Sequence, residues 1–164
     1  MAAGRLDEAA RNYTAVLHTH PNDVSANLAM GEICLRKTDY SCAESFLKQV
    51  LTAVPENNYA EYLLGIVYLK TGRFDDVLDI TTTLALQHAV GYDVQGLFAA
   101  ALEGKGNFAL AGDRYLKMRR YDDAIAAFTK ALRRDSHDEF SKRGLAEAYR
   151  AKDMNANKEG NNSK

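Results

Sequence analysis

A step of about 34 residues recurs along this chain, and a repeat of that length restricts what the sequence can build more than any other feature in it. Pro21 and Pro55 are one step apart. So are Gly31, Gly65 and Ala99, and so are Met30, Leu64 and Phe98. Leu6, Tyr40, Phe74 and Phe108 keep the step, followed by Ala9, Ala43, Val77 and Ala111, and by Val16, Val50, Leu84 and Met118. Residues 57–91 show the unit most fully, as two amphipathic helices over 59–71 and 74–87 folded back at Thr71-Gly72-Arg73. Gly65 stands inside the first of them, where glycine costs about 1 kcal/mol against alanine; such a residue lets a neighbouring helix come close. Around it Tyr62, Leu63, Leu64, Ile66, Val67, Tyr68 and Leu69 are apolar on nearly every side, the pattern of a helix buried between neighbours.

The period, the small residue in the first helix, the turn of the form [Gly/Thr]-x-[Tyr/Phe]-x-x-[Ala/Val] and the closing proline together resemble tetratricopeptide (TPR) repeats. The resemblance covers about residues 4–150. It implies an all-α fold, a superhelical solenoid of antiparallel helix pairs, with nine helices and no strands. Its columns describe helix packing rather than ligand chemistry, so it implies a class of function and no particular partner.

Taken in order, residues 1–152 read as the array and 153–164 (DMNANKEGNNSK) as a disordered polar tail. Residues 4–21 match a second helix with no first helix before it, which leaves Leu6, Ala9, Tyr13 and Val16 as an uncovered stripe. Repeats need neighbours or polar caps to stay soluble. The chain therefore reads as a piece of a longer protein, or as one whose first helix is covered by another subunit. Repeat 24–55 follows, with Ser41 and Glu44 spaced as a capping box, then repeat 58–91 with Ala89 where the proline would stand. Residues 92–137 are irregular. The second-helix pattern of Phe108, Ala111, Tyr115 and Met118 returns well short of a full step, in Tyr121, Ala124, Phe128 and Ala131, so one helix belongs to two frames. A winding break is expected in the loop from Gly104 to Asn107, closing one end of the groove or swinging the later helices to a second molecule. Residues 138–152 read as a capping helix, polar through Lys142, Arg143, Glu147 and Arg150.

Composition excludes several other classes. A net charge of −1 with 26% charged residues gives no nucleic-acid stripe and no acidic tail. No stretch approaches the ~18–20 apolar residues of a membrane span, and the first residues lack a signal peptide's apolar region, so the cytoplasm is the default. Gly104, Gly106 and Ala109 fit the outline GxGxxA, but a dinucleotide fingerprint needs a strand before it, and a helix stands there instead. His18 and His20 are two apart on different helix faces, while His88 and His137 stand alone, so no metal is expected. Asp7-Glu8, Asp75-Asp76 and Asp122-Asp123 each fall at the start of a second helix, where negative charge suits the helix dipole. Thr81-Thr82-Thr83 lacks an activating base. Catalysis and cofactors have no support.

Cys34 and Cys42 lie at equal distances either side of Thr38. They face each other at one height of the hairpin, but Cys42 is rotated by one position from the packed Ala43. A bridge needs Cα atoms within about 7 Å; the alternative is two small, half-buried thiols in a reducing compartment.

What remains is a surface. TPR resemblance places first helices on a concave wall. The residues facing it are Ser25, Leu28, Ala29, Glu32, Leu35 and Arg36, then Tyr59, Tyr62, Leu63, Ile66, Leu69 and Lys70. Seven are large and apolar or aromatic, and burying a Leu or Ile is worth about 1.5–3 kcal/mol. Either a partner's helix or peptide fills the wall, or it is the array's own core. The TPR subgroup that clamps acidic chaperone C-termini uses Lys, Asn and Arg; those positions fall here on Leu28, Glu32, Leu63, Asp93 and Leu97, or on Ala109 and Asp113 in the second frame, and none matches. The expected function is a non-enzymatic adaptor binding an apolar protein segment. The alternatives are a structural or self-assembly spacer in a larger protein, joined through the uncapped first helix or a swap at Gly104–Asn107, and a regulatory segment of an enzyme.

Overall fold

The computed structural model describes residues 2–88 and 93–161, with side chains described for 4–88 and 93–156. Among these residues nine α-helices follow one another and no strand occurs: α1 (Ala2–Thr19), α2 (Val24–Arg36), α3 (Tyr40–Ala53), α4 (Asn58–Lys70), α5 (Phe74–Leu86), α6 (Val94–Gly104), α7 (Phe108–Lys117), α8 (Tyr121–Arg134) and α9 (Glu139–Asn161). The chain divides into two compact units, Met1–Val94 and Gln95–Lys164. Ala89, Gly91 and Tyr92, where the sequence lacks its closing proline and begins a further helix, lie outside the described residues.

In the first unit each helix packs on the next, and α2 also touches α4. Asp23, Asp39 and Asn57 start α2, α3 and α4. Each accepts a hydrogen bond from the backbone N–H three positions on, at 2.7, 3.0 and 2.9 Å, satisfying a donor the helix itself leaves open. The capping box expected at Ser41 and Glu44 is therefore absent. Asp39 already fills the capping role, and Glu44 instead binds Lys48 at 2.7 Å and Arg73 at 2.9 Å. The Lys48 hydrogen bond, with Arg73 behind it, holds the Glu44 carboxyl below its ordinary value. Asp75 and Asp76 do stand in the first turn of α5, as Asp122 and Asp123 do in α8. Asp7 and Glu8 do not head a helix, because α1 begins at Ala2; Asp7 pairs with Lys37 across the α1–α2 hairpin.

The hairpin turns pass through left-handed backbone at Thr38 (φ 58°), Gly72 (φ 77°) and Gly106 (φ 80°), again one repeat step apart. Glycine takes that conformation without strain, and Thr38 takes it without being glycine. Cys34 and Cys42 flank this turn and are joined by a disulfide, with Cα atoms 5.7 Å apart. The turn at Thr38 is tight enough to bring the two residues within bridging reach, and the rotation of Cys42 relative to Ala43 does not keep them apart. Below the turn, Ala43, Leu47 and Val50 are fully buried. A Cβ added to Gly31 would lie 2.9 Å from Leu47 Cδ2, so the absence of a side chain there lets Leu47 of α3 lie against α2.

In the second unit α7 packs on α8, α8 on α9, and α7 also touches α9. Toward α6, the Tyr115 hydroxyl donates to Glu103 Oε2 at 3.4 Å, and the Arg114 guanidinium stands 5.3 Å from the Phe98 ring. Helix α7 thus does serve two frames. A Cβ on Gly112 would lie 2.8 Å from Phe128, the relation of Gly31 to Leu47 shifted by one frame. A second duplication marks the same equivalence. The run 68–76 (YLKTGRFDD) returns as 115–123 (YLKMRRYDD). In both, an arginine heads the helix, bonds the aspartate three positions on at 2.8 and 2.7 Å, and lies over the preceding tyrosine at 3.9 and 4.8 Å.

Two expectations are corrected here. The chain divides at Val94–Gln95 rather than between Gly104 and Asn107. Gly106 is an ordinary hairpin-turn residue in step with Thr38 and Gly72, and α6 lies with α7–α9. Residues 153–161, read as a disordered tail, continue α9. Met154, Ala156, Lys158 and Glu159 are good helix formers and no proline interrupts them, so a helix extends where no apolar stripe requires one. Asp138 starts α9, accepting from the Ser141 N–H at 3.2 Å and its hydroxyl at 2.6 Å. Lys142, Arg143, Glu147 and Arg150 are exposed on it.

Candidate protein-binding face

Helices α2 and α4 lie side by side in the first unit. Helical spacing of three and four positions puts Ser25, Leu28, Ala29, Glu32, Leu35 and Arg36 on one face of α2, and Tyr59, Tyr62, Leu63, Ile66, Leu69 and Lys70 on one face of α4. The opposite faces are spent on packing: Ala26, Ile33 and Cys34 of α2 and Ala60, Leu64, Val67 and Tyr68 of α4 are buried. Leu28, Ala29, Leu35, Tyr59, Tyr62, Ile66 and Leu69 are half-buried. Ser25, Arg36 and Lys70 are exposed at the rim, with Glu32 half-buried among the apolar residues. Leu63 departs from its neighbours. At 8% exposure it belongs to the core, because a helix covered on two sides has a wider buried arc than a single stripe.

Beside this face, Glu61 is held in an unfavourable place. Its Oε2 is buried without a hydrogen-bond partner, and burial pushes its carboxyl above the ordinary value of 4.5. Asn27, one repeat earlier at the same position, is fully buried. It donates from Nδ2 to the Pro21 and Asp23 carbonyls, both at 2.9 Å, tying down the loop before α2.

The residues weighed for other chemistry have structural roles. The Thr81 and Thr82 hydroxyls donate to the Leu78 carbonyl at 3.0 and 2.8 Å, and Thr83 to that of Asp79 at 3.2 Å. Gly104, Gly106 and Ala109 surround a helix–helix turn rather than a strand–helix one. His18, His20, His88 and His137 are exposed, and no group of three metal-ligating side chains occurs among the described residues. No described helix is long and apolar enough to cross a membrane.

The second unit carries a different wall, visible in the sequence only once Gly112 is set level with Gly31. Ala109 on α7 and Arg143, Glu147 and Arg150 on α9 then stand at the positions of Leu28, Tyr62, Ile66 and Leu69, while Asp113, Leu116, Lys117 and Phe140 keep the character of Glu32, Leu35, Arg36 and Tyr59. Leu110 is 53% exposed there, beside an open depression of about 260 Å³ lined by Phe108, Ala131 and Arg134.

A family model described as "Tetratricopeptide repeat" matches residues 1–58 and 109–154. Tetratricopeptide repeat protein 21B of Homo sapiens is 27% identical over 125 residues, 76% of this chain, which spans 9% of that protein's length. Among solved structures, a MamA double mutant aligns with a TM-score of 0.72 at 17% identity, covering 92% of this chain and 86% of its own. YrrB, described as a TPR protein with an unusual peptide-binding site, aligns with a TM-score of 0.71 at 18% identity, covering 92% and 79%. These two likenesses establish the fold.

Proposed function

Because this chain belongs to the tetratricopeptide repeat family, we propose that it is a non-enzymatic protein-interaction module whose α2–α4 face receives an apolar segment of a protein partner. One observation carries the reading: six large side chains, Leu28, Leu35, Tyr59, Tyr62, Ile66 and Leu69, are only half-buried on two adjacent helices whose other faces carry the buried residues Ala26, Ile33, Cys34, Ala60, Leu64, Val67 and Tyr68. An amphipathic helix or extended peptide laid across them would bury the open sides. Glu32, Arg36 and Lys70 at the edges would set its orientation more than its affinity. The peptide-binding site named for YrrB, a protein of the same fold, agrees in kind.

The test is a selection of displayed random peptides on the immobilised chain, followed by binding of the winners to Tyr62→Ala/Ile66→Ala. Each half-open side chain offers about 1 kcal/mol of further burial. The double variant should therefore bind about 30-fold more weakly, with its melting midpoint nearly unchanged. Equal binding by the double variant, or its unfolding, removes the α2–α4 face as the site.

A further inference from the structure

One acidic side chain on the α2–α4 face has no partner within the fold. Glu32 is half-buried, with Leu28 four positions before it and Leu35 three after it on the same side of α2. No ion pair or side-chain hydrogen bond reaches its carboxylate from any described residue. Other half-buried carboxyl groups are served. Glu44 holds Lys48 and Arg73, Glu103 holds Lys130 and the Tyr115 hydroxyl, and Asp138 accepts from Ser141. Glu61, with one oxygen buried, is shifted toward the neutral acid instead.

The second unit shows what the same position does when it is satisfied. With Gly112 level with Gly31, Asp113 takes the place of Glu32 and Lys117 that of Arg36. Asp113 and Lys117 form an ion pair at 2.8 Å. Glu32 and Arg36, equally spaced on α2, form none. Helix α7 neutralises its acid internally; α2 leaves the charge among apolar residues.

A segment that covers the face has to meet that charge. An apolar side chain laid over Glu32 would strip water from an ionised carboxylate and return nothing, a loss larger than the gain from burying one more Leu or Ile. A lysine or arginine set there replaces the water with a charge-assisted hydrogen bond. We propose that the segment received by the α2–α4 face is amphipathic and cationic: apolar residues against Leu28, Leu35, Ile66 and Leu69, and one lysine or arginine among them paired with Glu32. The charge of the unit favours such a segment over an acidic one, since residues 1–94 carry 12 acidic and 7 basic side chains. The apolar contacts supply most of the affinity, and Glu32 decides which apolar segments are accepted. This inference rests on the α2–α4 face being the binding site and adds the charge of what binds there.

The experiment selects displayed random peptides in parallel on the wild type, Glu32→Gln, Glu32→Lys and Arg36→Gln, each checked for folding by circular dichroism. Wild-type winners should carry a lysine or arginine within an apolar run. Changing that peptide residue to leucine should weaken binding to the wild type about 10-fold and matter little to Glu32→Gln. Glu32→Lys should return an acidic residue at that place, and Arg36→Gln should keep the basic one. Two results overturn the proposal while leaving the face in place: winners without a basic residue that still lose binding on Tyr62→Ala/Ile66→Ala, or a basic residue equally favoured by Glu32→Gln. A basic preference that emerges only in Arg36→Gln overturns it as well, because Arg36 then neutralises Glu32 in the wild type. Winners indifferent to Tyr62→Ala/Ile66→Ala, or no winners at all, remove the face and this inference with it. If Glu32→Lys does not fold, the comparison with Glu32→Gln decides alone.

Discussion

Replacing Gly144 by alanine should destabilise the second unit, although helix propensity alone predicts the reverse. Gly144 lies inside α9, where alanine is favoured over glycine by about 1 kcal/mol. A Cβ there would meet the Phe128 ring at 2.3 Å from Cζ, 2.6 Å from Cε1 and 2.7 Å from Cε2, against the about 3.5–4.0 Å of an unstrained carbon–carbon contact. The ring cannot retreat. A Cβ on Gly112, on α7, would already come within 2.8 Å of Phe128, and Phe140 stands edge-on with its centroid 6.3 Å away. Phe128 is 1% exposed, so the strain has to be taken up by parting α8 from α9. Overpacking of this kind costs about 1–3 kcal/mol, occasionally more; net of propensity, Gly144→Ala should lose up to about 2 kcal/mol. Gly4→Ala is the control, since nothing lies within 4 Å of a Cβ at Gly4. Urea titration followed by circular dichroism gives both values, with hydrogen exchange of α8 amides as the local readout. Pairing Gly144→Ala with Phe128→Leu should recover part of the loss, a coupling that only contacting residues show. A Gly144→Ala variant as stable as Gly4→Ala would refute the close packing of α8 on α9.

Glu61→Gln should raise the melting midpoint at neutral pH and change it little near pH 4. The folded-state value of Glu61 is raised by burial, so its contribution is favourable below the unfolded value and is lost as pH rises through the folded one; a gain independent of pH would contradict this. Asn57→Ala removes the side-chain acceptor of the Ala60 N–H and should cost about 1 kcal/mol, read as faster exchange in the first turn of α4; unchanged exchange would remove Asn57 as the cap. Cys42→Ser, compared with the oxidised wild type, should cost about 2.5 kcal/mol from the short loop released. Alkylation of two thiols in denaturant without reductant would show that the Cys34–Cys42 bridge does not form.

The features legible in the sequence are those that local packing writes at a fixed period. The small column residue Gly31, the double use of α7 and the acidic first turns of α5 and α8 all follow from spacing alone. The features that are not legible depend on backbone geometry or on a third neighbour. The equal spacing of Cys34 and Cys42 about Thr38 marks a bridge as possible, but Thr38 takes a left-handed turn without being glycine, so the sequence leaves open whether the turn is tight enough to close it. Gly104 and Gly106 resemble a hinge because glycine marks both flexible loops and regular turns; the step from Thr38 through Gly72 to Gly106 distinguishes them. Leu63 shares its helical face with Tyr62 and Ile66, and only coordinates show that the neighbouring helices close over it. Residues 153–161 carry no apolar pattern, yet a helix needs only its own backbone bonds and favourable residues to extend. The duplication of Tyr68, Arg73 and Asp76 as Tyr115, Arg120 and Asp123 is present in the sequence, but at an offset longer than the repeat step, so comparison at that step alone passes over it.

The central claim, that α2 and α4 present the binding face, is tested most directly by methyl NMR of the chain titrated with a peptide selected on it. The methyl groups of Leu28, Leu35, Ile66 and Leu69 should shift and show contacts to the peptide, while those of Leu110, Leu116 and Leu145 in the second unit stay in place. Shifts confined to Leu110, Leu116 and Leu145, with the α2–α4 methyls unmoved, would contradict it.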